Sequence, residues 1–192
     1  MLVNRMPEIT TYRSFPGSAT LAKAADAYLE GFAGPPYFET DADRDGFLDR
    51  VRRYAARDGF RLVVAAEGDP SASSEARRVI GVGLAVIGHP GDWWRDQVAA
   101  GLPETDVEAW LGDAVLEVVD LTVIPAARGR GVGRAIHDAL LSGVTTRTAV
   151  LTADTRATPA RALYAGGGWQ TLRDPFSVAG GEPVTLMVRR LD

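Results

Sequence analysis

LTVIPAARGRGVGRAIHDALL, running from Leu121 to Leu141, decides how the rest of the chain is read. It opens as a strand rich in apolar and β-branched residues that Pro125 stops, and it closes with Val132, Ala135, Ile136, Ala139 and Leu140 at helical spacing. Between them, Arg128-Gly129-Arg130-Gly131-Val132-Gly133 sets three glycines in six residues at a helix entrance. Such glycines cost conformational entropy, which is offset when backbone N–H groups must approach a ligand with no side chain in the way. A helix N-terminus offers free N–H groups and a positive dipole end, and Arg128, Arg130 and Arg134 add forked donors that suit phosphate oxygens. The segment reads as a diphosphate cradle; the plainer alternative is a tight strand–helix turn with solvated arginines. Two other nucleotide motifs fail here. A P-loop needs Lys then Ser or Thr after its last glycine, where Arg134 and Ala135 stand, and a G-x-G-x-x-G register ends on Arg134 or Ile136.

Working outward, AVLEVVDLTVIP from Ala114 to Pro125 is the strongest strand signal. Upstream, the pattern predicts a strand over Glu8–Phe15, then a helix capped by Ser18 with Leu21, Ala24, Ala25, Tyr28, Leu29 and Phe32 on its apolar face, ending at Gly34-Pro35-Pro36. A second helix follows from about Thr40 to Arg57, and its Arg50, Arg52, Arg53 and Arg57 read as a solvated face. Phe60–Gly68 and Arg78–Gly88 read as strands joined by the polar stretch DPSASSEAR, with Gly81 and Gly83 pointing to a close backbone approach. The stretch from His89 to Asp113 is too long for a hairpin connection and holds two short helical pieces. Downstream come a strand over Thr148–Asp154, a short helix that Pro159 opens and Gly166 to Gly168 close, and two final strands around the turn-rich PFSVAGGEP. No internal repeat or linker interrupts this order, so residues 1–192 read as a single domain.

Composition bounds the chemistry. The 192 residues contain no cysteine, which excludes thiolate metal sites, disulfides and any cysteinyl acyl intermediate. A net charge of -4 gives no basic excess for nucleic-acid binding. The two histidines, His89 and His137, are far apart and lack carboxylates at ligand spacing, so no metal site is expected. No apolar run approaches the roughly 20 residues that span a bilayer. The expectation is a cytoplasmic protein without membrane or nucleic-acid partners.

The 121–141 stretch resembles the acetyl-CoA-binding core of the GNAT N-acetyltransferases, whose [RQ]-x-x-G-x-[GA] pattern follows a strand ending in V-x-P; Arg128, Gly131 and Gly133 occupy the three fixed positions. A second block, ALYAGGGWQTL from Ala162 to Leu172, is similar to the family's L-Y-x-x-x-G-[FW] segment through Leu163, Tyr164, Gly168 and Trp169. The resemblance implies an α/β GNAT fold, a mixed twisted sheet of about six to seven strands flanked by helices, and acetyl transfer from acetyl-CoA to a primary amine. It also implies that main-chain groups around Leu121 and Val123 pair with the pantetheine arm while Arg128, Gly129, Arg130, Gly131, Val132, Gly133 and Arg134 hold the diphosphate. Many relatives carry Asn seven residues before the tyrosine; here that position is Ala157, a departure from the pattern.

Amine acetylation needs a base for the amine and an acid for the thiolate. Without cysteine, direct attack in a ternary complex is favoured over ping-pong transfer. Glu117 sits where family members often carry a base, and strand alternation sets it with Val115, Val119, Leu121 and Val123, against Asp120 on the other side. Glu117, Asp120 or water therefore serves as base, and Tyr164 matches the family tyrosine near the sulfur. Tyr37, Trp93 and Trp94, with Phe38 and Trp110, are candidates for a substrate mouth, with a local mini-core as the other reading of the tryptophans. The acceptor is a small-molecule or peptide amine. A non-catalytic acyl-CoA-binding module is the rival reading, and oligomeric state is left open, a homodimer among the options.

Overall fold

A computed structural model describes residues 6–68, 77–156 and 158–191. Its strands are β1 (Glu8–Tyr12), β2 (Arg61–Glu67), β3 (Arg78–Gly88), β4 (Val115–Val123), β5 (Thr148–Asp154), β6 (Gln170–Phe176) and β7 (Val184–Arg190). Its helices are α1 (Ser18–Phe32), α2 (Asp41–Tyr54), α3 (Trp93–Ala100), α4 (Glu104–Trp110), α5 (Val132–Leu141) and α6 (Pro159–Ala165). The strands form one mixed sheet in the order β1-β2-β3-β4-β5-β7-β6. Among the registered pairs, β4 and β5 run parallel, through Leu116↔Ala149 and Glu117↔Val150, and β1–β2, β2–β3, β5–β7 and β6–β7 run antiparallel. No helix among the described residues is long and apolar enough to cross a membrane.

Two compact units share these elements, residues 1–85 with 120–142, and residues 86–119 with 143–192. In the first, the glycines of β3 admit α5 closely. A Cβ on Gly83 would lie 2.6 Å from Ile136 Cγ2 and 2.8 Å from Leu140 Cδ1, and one on Gly81 would lie 2.8 Å from Ile136 Cδ1. That approach anchors the helix whose N-terminus is the glycine-rich turn. Arg61, itself buried, donates to the carbonyls of Leu140 (3.0 Å) and Ser142 (2.8 Å), so a cation caps the opposite end of α5 where the dipole favours it. Tyr28 of α1 stacks on Phe47 of α2 with ring centroids 4.5 Å apart, and Leu21, Ala24, Ala25 and Val51 are buried beside them.

In the second unit, Val98, Leu111, Val115, Val150, Phe176, Leu186 and Val188 form the core, and Trp94 and Trp110 pack against it. Arg190 lies over the Trp110 ring at 4.3 Å, and Arg95 donates to the Gly112 carbonyl at 2.7 Å. Trp94 and Trp110 therefore tie the long connection into the unit, as the mini-core reading has it, whereas Trp93 is exposed.

The element order matches the sequence pattern, and the differences have local causes. Ser18 is the first residue of α1 rather than its cap, because Gly17 at φ 88 turns the chain into the helix. α2 ends at Tyr54, short of Arg57. Pro175 and Phe176 belong to β6, not to the turn, because Phe176 is buried in the core of its unit. The arginine run is not uniformly solvated: Arg50 turns inward onto Asp120, a partner 70 residues away. Most of the stretch joining β2 to β3 lies outside the described residues.

Candidate functional site

β4 leads through a 3-10 turn, Pro125–Ala127, into the glycine-rich turn and α5. Gly129 and Gly131 adopt φ of 73 and 81, where L side chains are strained, and no atom lies within 4 Å of a Cβ built on either. Open space therefore faces the α5 N-terminus, whose first-turn N–H groups have no intrahelical acceptors. The three arginines are not equivalent. Arg128 donates from Nε to the Val123 carbonyl (3.0 Å) and from Nη2 to the Gly31 carbonyl (2.7 Å), so much of its fork is spent on backbone. Arg130 pairs with Glu67 at 3.1 Å, both side chains about one-third exposed, a pair weak enough for a diphosphate to displace. The turn fits a diphosphate through main-chain donors first and arginines second.

Two carboxylates on β4 occupy different surroundings. Glu117 is 2% exposed, and its carboxylate occupies the space above Gly88, where a Cβ would lie 2.1 Å from Oε1. Asp120 is held by Arg50 at two points, Nε to Oδ2 at 3.1 Å and Nη2 to Oδ1 at 3.2 Å. The same guanidinium reaches the Tyr28 hydroxyl at 3.4 Å and lies over the rings of Tyr28 and Phe47. Burial raises the pKa of Asp120 despite the opposing Arg50 charge. Burial also raises that of Glu39, which interacts with Tyr28, and the Tyr28 hydroxyl is pushed up by burial and by Asp120. A carboxylate bound twice by arginine is poorly placed to take a proton from an amine.

The C-terminal half of β4 runs on to Val123 past its registered pairs with β5. Leu121 is half-buried and Val123 buried, and the Val123 carbonyl already accepts from Arg128. Tyr164 is buried in the second unit, edge-on to Trp169 with centroids 5.9 Å apart. Of the expected mouth aromatics, Trp94 and Trp110 serve packing, whereas Trp93, Tyr37 and Phe38 are 65%, 42% and 64% exposed. Ala157 lies outside the described residues. Sequence reasoning missed Gly88 and the Arg50–Asp120–Tyr28 cluster. Only the glycine at the end of a Val/Ile strand hinted at a group needing room there, and nothing in the linear order tied Arg50 to Asp120.

No family model matches the chain. A GCN5-like protein acetyltransferase of Mycobacterium tuberculosis, Rv2170, is 32% identical over 141 residues, covering 64% of this chain and 66% of that protein. The matched stretch thus spans just under two thirds of that relative's length. Among solved structures, a histone acetyltransferase HPA2 and related acetyltransferase from Corynebacterium glutamicum superposes with a TM-score of 0.65 at 19% identity, over 98% of each chain. The Arabidopsis thaliana NAA60, solved with a bisubstrate analogue, gives a TM-score of 0.62 at 16% identity over 96% of this chain and all of that one.

Proposed function

From the chain's membership of the GNAT superfamily of acetyltransferases, we propose that it transfers an acetyl group from acetyl-CoA to a primary amine by direct attack in a ternary complex. The observation that carries this reading is the α5 entrance, where left-handed Gly129 and Gly131 leave open space before a helix N-terminus. Acetyl-CoA would supply the thioester carbon that the amine attacks and the thiolate that departs. The amides from Gly129 to Gly133, with Arg130 and Arg134, hold the diphosphate. β4 offers main-chain groups at Leu121 and Val123 for pairing with an extended amide-bearing arm, as a strand edge does. Glu117 takes the amine proton directly or through water, and the Tyr164 hydroxyl gives a proton to sulfur. The absence of cysteine supports direct attack, since no thiol is present to carry the acetyl group. The exposed rings of Tyr37 and Trp93 suit contact with a small-molecule or peptide amine, and a cytoplasmic setting fits this chemistry.

The test is calorimetric titration with CoA, followed by thiol release from acetyl-CoA with a panel of amines and N-terminal peptides. Binding with thiol release supports the enzyme. Binding without release from any acceptor favours an acyl-CoA-binding module, and no binding removes both.

A further inference from the structure

We propose that Arg128 is a positioning residue, a latch through which occupancy of the diphosphate turn orders the connection between α1 and α2. This inference rests on the reading of that turn as a CoA site. Arg128 immediately precedes the glycines, and its own amide donates to Pro125 O at 3.3 Å, so its backbone is part of the turn. Its side chain reaches 97 residues back to Gly31, in the last turn of α1. Carbonyls there lack intrahelical donors, and a cation is favoured at that end of a helix, so the guanidinium both satisfies and caps α1. Its second bond, to Val123 O, fixes the fork against the end of β4.

Gly31 shows how closely the two elements meet. A Cβ there would lie 2.2 Å from Thr122 Oγ1, so the last turn of α1 lies directly against β4 beside the residues just named. From that turn hangs the connection 33–40. Glu39 N donates to Phe32 O at 3.1 Å, and the amides of Tyr37 and Phe38 both donate to Gly34 O at 3.2 Å. Phe38 is held at φ 54 with its ring largely in solvent, a strained arrangement for a bulky residue that persists only where its surroundings hold it. A diphosphate that fixes the amides after Arg128 narrows the positions open to the guanidinium, and hence to Gly31 and the loop beyond. By reciprocity, anything that orders residues 33–40 tightens CoA binding by the same factor.

Lysine keeps the charge of Arg128 but cannot donate to two carbonyls as a fixed fork, whereas glutamine loses the charge. Hydrogen–deuterium exchange on the full chain, with CoA as the probe, separates a latch from a phosphate ligand. The latch predicts that, without CoA, amides 37–39 exchange about tenfold faster in both Arg128→Lys and Arg128→Gln than in the wild type, as a local opening made easier would give. It also predicts that saturating CoA slows those amides in the wild type but not in the variants, while the CoA Kd rises less than about tenfold. A phosphate ligand predicts the reverse, with unchanged exchange at 37–39 and a Kd more than about 100-fold higher in Arg128→Gln; that result overturns the proposal. Unchanged melting temperatures confirm that both variants fold, and if one does not, the other carries the comparison. Should CoA fail to bind the wild type, the CoA-site reading falls, and with it the coupling, while exchange in the ligand-free proteins still decides whether Arg128 holds the connection.

Discussion

Glu117 and Asp120 are two acids on one strand, three residues apart, and they meet opposite treatment. Asp120 is pinned by a two-point bond to Arg50, with Tyr28 and Phe47 closing over the guanidinium. Glu117 is more deeply buried, and what the fold supplies around it is room, made by the missing side chain of Gly88. A three-residue step along a strand reverses the direction of a side chain, so alternation alone sends the two carboxylates to different faces. Chemical identity and closeness in sequence thus say little about role. An acid fixed by a cation is a structural group; Glu117 instead lies in the space that Gly88 leaves open.

The largest expected effect tests the Glu117 side. Glu117→Gln should lower acetyl transfer by about 10²–10⁴-fold if the residue is the base, read as steady-state thiol release with an accepted amine; a wild-type rate across pH would assign the base to water instead. Next comes the Asp120 clamp. Arg50→Ala leaves a buried carboxylate without its cation and should cost about 3 kcal/mol in urea unfolding, and a loss below about 0.5 kcal/mol would mean that solvent already compensates Asp120.

Gly88→Ala probes the room given to Glu117. The added methyl must displace the carboxylate, so a stability loss of about 1–3 kcal/mol is expected, together with reduced turnover; retention of both would show that Glu117 has another place to lie. The smallest effect is a pH dependence. Because burial raises the folded pKa of Asp120, the folded state binds more protons between the ordinary value of about 4 and the raised one, and this group's share of stability falls as pH rises through that window. Asp120→Asn removes that fall, measured as the difference between wild-type and variant unfolding energies from about pH 4 to about pH 8. A flat difference would contradict the burial effect.

Much of the fold was legible because its signals are local. β3 and β5 were read with the bounds they have, since Val/Ile runs closed by glycine or polar residues leave little choice of ends. α6 opens on Pro159, with Thr158 accepting from the Arg161 amide, a pattern carried by adjacent residues. The glycine turn was legible for the same reason. What was not legible depends on distant partners. Arg128 and Arg134 look alike in the sequence, yet Arg128 is committed to carbonyls 5 and 97 residues away. Arg50 sits in a run of arginines that reads as solvated, and its partner is 70 residues on.

By itself the sequence determined the element order, the glycine-rich turn at the start of α5, the position of Glu117 on β4 and the exclusion of thiol chemistry. These follow from backbone propensities, strand and helix periodicity and composition, all of which act over a few residues or over the whole count. Tertiary structure alone decided which acid is clamped, which arginine is bonded to distant carbonyls, and which tryptophans are packing. Those outcomes depend on which groups meet across the fold, because a charge or a ring takes its role from its burial and its partner rather than from its neighbours in the chain.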